Sequence, residues 1–322
     1  MSTSVAEAPW LARLRRIGAI RYHHRHPFNA LMHAGRLDHG DLRLWVANRY
    51  YYQTRIPIKD AIILSKSEDR QFRRAWIQRI LDHDGRGEQQ VGGIELWVRL
   101  GSALGLSRQQ LDSQTELLPA VREACDEYVE LVRRSDLVTA VASSLTEYFA
   151  GDLMQTRLEA WKRHYPAIAS QALRYFEERI VQAPQDAAFA LEFVGRHAST
   201  AEREQRCLDA FERKCEILWR LLCAVYLARR RDRRPSLAAR ASLVQRSGRP
   251  ALLLGPEQAL ELNPSAAALL ERADGEASVG QLAHSLSVDH RAPLAEVEFD
   301  IAAFLGELEL RRLIRFSAEG RA

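Results

Sequence analysis

The 322 residues carry 46 Lys/Arg against 42 Asp/Glu, a net charge of +4, with 47% apolar and 27% charged positions and only 17 Gly and 11 Pro. That balance excludes a disordered or fibrous chain, and the length suits one domain of about two hundred residues plus a smaller one. No apolar run reaches the ~18 residues of a membrane span, and residues 1–9 hold Glu7 without a basic cluster, so the chain reads as cytoplasmic, with neither anchor nor secretory leader.

From residue 9 to 229 apolar residues recur at spacings of three and four. The pattern predicts helices over 9–17, 27–33, 38–55, 59–65, 70–83 and 93–104, and a short one opened by Ser107. Others follow over 120–133, 136–148 running on to 163, 167–182, 186–194 and 201–229. Asp38 is a suitable N-cap, and Pro166 follows a stop at Tyr165. The expected architecture is an all-α bundle of about seven main helices. The basic, proline-containing run at 228–236 marks the boundary: a helical domain over 1–228, a linker over 229–235 and a second domain over 236–322. There, 242–245, 251–254 and 259–262 predict short strands, separated by turn signals at Ser247-Gly248 and Gly255-Pro256. Helices at 265–273, 279–286 and 293–310 and a closing strand at 313–316 complete a small α+β, winged-helix-like module.

Charge is unevenly placed. Residues 236–322 hold 9 Lys/Arg against 12 Asp/Glu, which leaves the helical part positive and disfavours DNA binding by the C-terminal module; no nucleic-acid partner is expected. Cys125, Cys207, Cys215 and Cys223 show no zinc-like spacing, and the last three recur every eight residues on one helix, which reads as core packing.

The informative positions are charged residues on stripes that face a core. Arg49 and Gln53 share a face with Trp45; Arg79 and His83 follow Trp76; Arg157 shares a face with Glu147 and Met154. Arg179 follows Tyr175, and Lys214 follows Phe211. Taken singly, each is a surface residue or an internal ion pair. Together they predict a cavity lined by Arg49, Arg79, Arg157, Arg179 and Lys214, with Glu147 as the one obvious counter-ion, shaped for an anion with several carboxylates. His23, His83, Tyr22, Tyr52, Tyr128 and Tyr175 would supply proton donors and acceptors. The run Tyr22-His23-His24-Arg25-His26 offers weak metal chelation as a rival, but paired Glu-x-x-His, HExxH, phosphate-loop and GxSxG patterns are all absent, and metal-free chemistry is favoured.

Several strings carry a specific resemblance. Trp45-Val-Ala-Asn-Arg49-Tyr-Tyr-Tyr-Gln53, Ile56-Pro-Ile-Lys59-Asp60, and Trp76 through His83 to Gly85 resemble PqqC, and Gly92-Gly-Ile-Glu95, Ser143-Ser-Leu-Thr-Glu147, His164-Tyr-Pro166 and Leu218-Trp219 continue the match in order. Glu261-Leu-Asn263-Pro-Ser265 and Asp274-Gly275 resemble PqqD. The resemblance implies a haem-oxygenase/TenA-like bundle, usually dimeric. It also implies the last, O2-dependent ring closure and oxidation in pyrroloquinoline quinone (PQQ) synthesis, acting on a tricarboxylate quinone precursor with peroxide released and no metal or flavin cofactor. The PqqD part would bind the peptide PqqA and present it to the radical-SAM enzyme PqqE. By the same resemblance His83, Tyr175 and Arg179 form the oxygen-handling core, with His83 the leading proton donor and His23 beside it. Arg49, Arg79, Arg157 and Lys214 would grip carboxylates, with Tyr22, Gln53, Tyr128 and Glu147 completing the pocket. The chain departs from the family where Met154 replaces a histidine and Ala188-Phe189 replaces a Glu-His pair. These departures keep two alternatives open: a bundle acting on another small anion, and a binding protein with a catalytically impaired bundle.

Overall fold

A computed structural model describes residues 9–87, 90–246, 248–254 and 258–317. The turn signals at Ser247 and at Gly255-Pro256 fall outside the described residues. Two compact units divide between Leu222 and Cys223.

The first unit is helical: α1 Pro9–Arg21, α2 Pro27–His33, α3 His39–Ser65, α4 Arg70–Asp84, α5 Gly93–Ala103, α6 Arg108–Asp112, α7 Pro119–Arg134, α8 Leu137–Ala142, α9 Ala150–His164, α10 Arg174–His197 and α11 Ala201–Ala228 as far as Leu222, where the division falls within the helix. Capping boxes start α3 at Asp38/Asp41 and α6 at Ser107/Gln110, satisfying amides that a helix leaves unpaired. Central to the unit is α3, packed by α4, α5 and α7, with residues buried on every side. Asn48 fastens it to the start of α7, donating to the carbonyl of Glu116 (3.0 Å) and accepting from the amide of Leu118 (2.9 Å). Trp97 of α5 donates to the carbonyl of Val46 (2.9 Å) and packs edge-on against Trp45, which also contacts Trp161.

Two expected breaks are absent. Residues 56–58 and 183–185 continue α3 and α10 as helix through Pro57 and Pro184. A proline inside a helix removes one hydrogen bond and costs about 3 kcal/mol. Burial of Ile56 and Ile63 on α3, and of Ala183, Ala187 and Ala190 on α10, offsets that loss. Conversely, the run from 136 to 163 is interrupted by a 3-10 segment, Ser143–Phe149. Its three-residue repeat puts Ser144 and Glu147 on one face.

The second unit holds a ribbon of β1 (Arg234–Leu237) with β5 (Ile314–Ser317), and an antiparallel sheet of β2 (Ser242–Arg246), β3 (Arg249–Leu253) and β4 (Ala259–Glu261) in that order. Its helices are α12 Pro264–Glu271, α13 Val279–His290 and α14 Leu294–Leu310. Strand β1 was not anticipated, and it changes the reading of the basic run. Arg234 pairs with Ser317 and Pro235 with Phe316, while Arg230 is buried against Glu309 (2.8 Å), so residues 229–235 are built into this unit instead of forming a bare linker. The proline is accommodated at an edge, where no amide donor is required. Among the described residues no helix is long and apolar enough to cross a membrane.

Candidate active site

Every cation predicted to face inward does so. Arg49, Arg79, Arg157, Arg179 and Lys214 are all at most 9% exposed, with Lys214 fully enclosed. Two of them, Arg49 and Arg179, border a cavity of about 30 Å³ in the first unit, together with Tyr22, His23, Tyr52, His83, Glu147 and Tyr175 of the predicted set and with Thr146 and Met154. That volume suits about one or two water-sized molecules, so the walls must part for a fused-ring compound. The remaining predicted residues form a second layer. Gln53 accepts from the Tyr175 hydroxyl (3.1 Å), Arg79 lies beyond Glu147, Arg157 lies beyond Met154, and Tyr128 and Lys214 lie behind Tyr52.

The cations divide into two sets, and the expectation of a single obvious counter-ion is corrected. Arg79 and Arg179 sit in an ion-pair network with three carboxylates, of which sequence reasoning had noted only Glu147. Asp186 reaches Arg79 (3.3 Å) with one oxygen and Arg179 (3.2 Å) with the other. Glu147 likewise meets Arg179 (2.5 Å) and Arg79 (4.0 Å). Asp60 contacts Arg79 (3.4 Å) and Lys59 (2.6 Å), whose ammonium also donates to Ser144 (2.9 Å). Three cations face three anions, so the network is formally neutral. Burial pushes the Glu147 carboxyl up, but Arg179, then Arg79 and Lys59, outweigh it and hold the group well below the usual carboxylate range.

Arg49, Arg157 and Lys214 have no carboxylate partner among the described residues. Arg49 stacks on the Tyr52 ring at 3.8 Å. Arg157 donates to Asn29 (3.0 Å) and lies over Trp45, while burial, aided by Arg49, pushes its pKa down to about 9. The Lys214 ammonium sits 3.4 Å from the Tyr128 ring centroid and 4.3 Å from that of Tyr52, with no hydrogen-bond partner. Burial, then Arg49, drives its pKa well below the ordinary lysine value. Three buried cations without a carboxylate partner favour an anion of matching charge.

The two site histidines are both held neutral by their surroundings. His83 Nδ1 donates to the carbonyl of Arg79 (2.9 Å), an assignment that follows from the acceptor being a carbonyl, and so Nε2 carries the lone pair; it is buried and has no partner. Burial, then Arg179, pushes its pKa down to about 4. At neutral pH His83 is therefore a proton acceptor first, and a donor only after it has been protonated. His23, buried beside Arg49, Arg157 and Lys214, is likewise held neutral, chiefly by burial. The turn after α4 fixes His83: a Cβ at Gly92 would lie 2.3 Å from the His83 carbonyl oxygen and from the Gly85 amide, and Gly85 itself has φ +91.

Of the two departures, Met154 borders the cavity, whereas Ala188 is exposed and Phe189 packs on Trp76 and Phe72. Among the described residues no three His, Cys, Asp or Glu side chains form a group able to hold a metal ion. All four cysteines are buried, and burial raises each thiol pKa, that of Cys125 to about 12.

The model of the TENA/THI-4/PQQC family matches residues 11–224, and that of coenzyme PQQ synthesis protein D matches residues 251–314. The chain is 36% identical to the bifunctional coenzyme PQQ synthesis protein C/D of Methylorubrum extorquens, over 94% of this chain and 93% of that one. It is 46% identical to the pyrroloquinoline-quinone synthase of Xanthomonas campestris (67% and 86% of the two chains) and to that of Pseudomonas aeruginosa (66% and 85%). Among solved structures, a TenA homologue from Pseudomonas syringae superposes with a TM-score of 0.57 at 13% identity, over 67% of this chain and 92% of that one. A haem-oxygenase-like domain from Shewanella denitrificans gives 0.56, also at 13% identity, over 68% and 90%. These last two likenesses concern the fold alone.

Proposed function

Because the chain belongs to the TENA/THI-4/PQQC family and continues into a PqqD segment, as in the bifunctional C/D proteins, we propose that it is a pyrroloquinoline-quinone synthase fused to a PqqA-binding domain. One observation carries the substrate reading: three buried cations without carboxylate partners, Arg49, Arg157 and Lys214, match the three carboxylates of the quinone precursor. The neutral network and His83 then face the ring to be oxidised. His83 Nε2 takes a proton from it, Tyr175 is oriented by Gln53, and dioxygen accepts the electrons as ring closure and oxidation proceed.

The reading includes no metal or flavin. Its support is the commitment of Asp60, Glu147 and Asp186 to Lys59, Arg79 and Arg179, which leaves no carboxylate of the site for a metal. PQQ is the product and dioxygen the co-substrate. Four buried cysteines without a disulfide suit a cytoplasmic setting. The homodimer and the PqqE partner rest on family resemblance alone, and PqqA binding rests on the PqqD match.

Anaerobic mixing with the precursor tests the proposal. A quinone spectrum should form on mixing, with oxygen uptake and peroxide on admitting air, in chelator-treated protein as well. The absence of any spectral change would favour a different anionic substrate, and a change without oxygen uptake would favour a binding protein.

A further inference from the structure

Asp186 has no part in the chemical steps proposed above, and its geometry is unusual. One carboxylate oxygen lies 3.3 Å from Arg79 and the other 3.2 Å from Arg179, while Glu147 touches the same two guanidiniums from its own side. Two carboxylates and two arginines thus close a four-membered ring, fed from α4, α10 and the 3-10 segment. Asp186 lies seven residues after Arg179 on α10, two turns along the same face, and is reached only because the helix continues through Pro184. Its side chain is 10% exposed, against 5–7% for the two arginines.

We infer that Asp186 is a positioning residue: its forked carboxylate ties Arg79 and Arg179 to Glu147, so that Arg179 faces the reacting ring with Arg79 held behind Glu147, and neither grips a substrate carboxylate. The inference rests on the synthase reading and deepens it by dividing the five cations into three that bind and two that are held. With Asp186 ionised the ring is electrically closed, and Arg179 presents hydrogen-bond donors in a fixed direction beside His83. Without that charge one guanidinium is released. It becomes a fourth binding cation in the wrong place, able to swing toward a carboxylate.

Asp186→Asn, which keeps the shape and removes the charge, gives a signature that a purely structural role would not. Turnover of the precursor should fall roughly 10- to 100-fold through misplacement of the guanidiniums. Equilibrium binding of PQQ, followed anaerobically by absorbance, should stay unchanged or tighten by up to about ten-fold, since a positive charge has been freed. Asp186→Glu, with the charge restored on a longer arm, should recover part of the turnover.

Wild-type turnover in Asp186→Asn would overturn the inference, as would PQQ binding that weakens in step with turnover. If the wild-type protein itself does not convert the precursor, the synthase reading fails. The inference is then decided by PQQ binding and a crystal structure of Asp186→Asn: a guanidinium still closed on Glu147 with weakened binding sinks it, and a released guanidinium with binding retained upholds it.

Discussion

Lys214→Met should make the protein more stable and a poorer binder at the same time. The Lys214 ammonium is fully enclosed and has no hydrogen-bond partner. Burying such a charge costs several kcal/mol. The ring contacts at 3.4 and 4.3 Å return about 0.5–2 kcal/mol each. A net penalty of about 1–3 kcal/mol remains, and methionine, a flexible apolar chain of similar length, removes it. In a unit of this size that corresponds to a rise in Tm of roughly 2–12 °C. The pH dependence has a definite sign. Because the folded-state pKa of Lys214 is depressed, the unfolded chain binds the extra proton, and wild-type stability should rise with pH from that depressed value up to the ordinary one near 10.5. The Met variant should lack that rise. Affinity for PQQ should fall about 30-fold or more with the loss of one desolvated charge pair. Thermal scans at several pH values, with and without PQQ, read all three effects. A lower Tm in the variant, with the pH dependence retained, would refute the account of Lys214 as an uncompensated cation.

Arg157→Leu should weaken PQQ binding by a similar factor while leaving the neutral network intact; isothermal titration checks this, and unchanged affinity would remove Arg157 from the anion site. His83 should act as a base, so kcat/KM should be lost as pH falls through about 4, where the imidazole becomes protonated; a rate that rises on acidification would reverse its role. Gly18→Ala would bring a Cβ to 2.2 Å from the Phe149 ring, which packs on Tyr22, and should lower stability by about 1–3 kcal/mol and turnover with it; a variant with wild-type Tm and rate would contradict that packing.

The two carboxylates that sequence reasoning missed share one cause. Asp60 and Asp186 each lie two or three residues beyond a proline, where the predicted helix had ended, so their stripes were cut before the acid was reached. Ile56 and Ile63 flank Asp60 at helical spacing, and Asp186 continues the face of Arg179, so the signal was present once the helix is allowed to run on. What overrides the local penalty is packing from distant segments, which periodicity within one segment does not contain. The inward arginines were legible because a long charged side chain on an apolar stripe is costly wherever the stripe leads. The protonation state of His83 was not, since it depends on the carbonyl of Arg79 and on the nearness of Arg179 from another helix. Strand β1 escaped because its partner lies about eighty residues away, and four residues rich in Arg and Pro carry no alternation of their own.

The buried thiols bear on how the protein tolerates its own chemistry. With their pKa values raised, Cys125, Cys207, Cys215 and Cys223 stay almost wholly in the unreactive protonated form at physiological pH, out of reach of an oxidant released nearby. The sulfur that does border the cavity belongs to Met154, whose oxidation to the sulfoxide is reversible by repair enzymes. Wear from repeated turnover would then gather at one mendable thioether and spare the packing of α7 and α11.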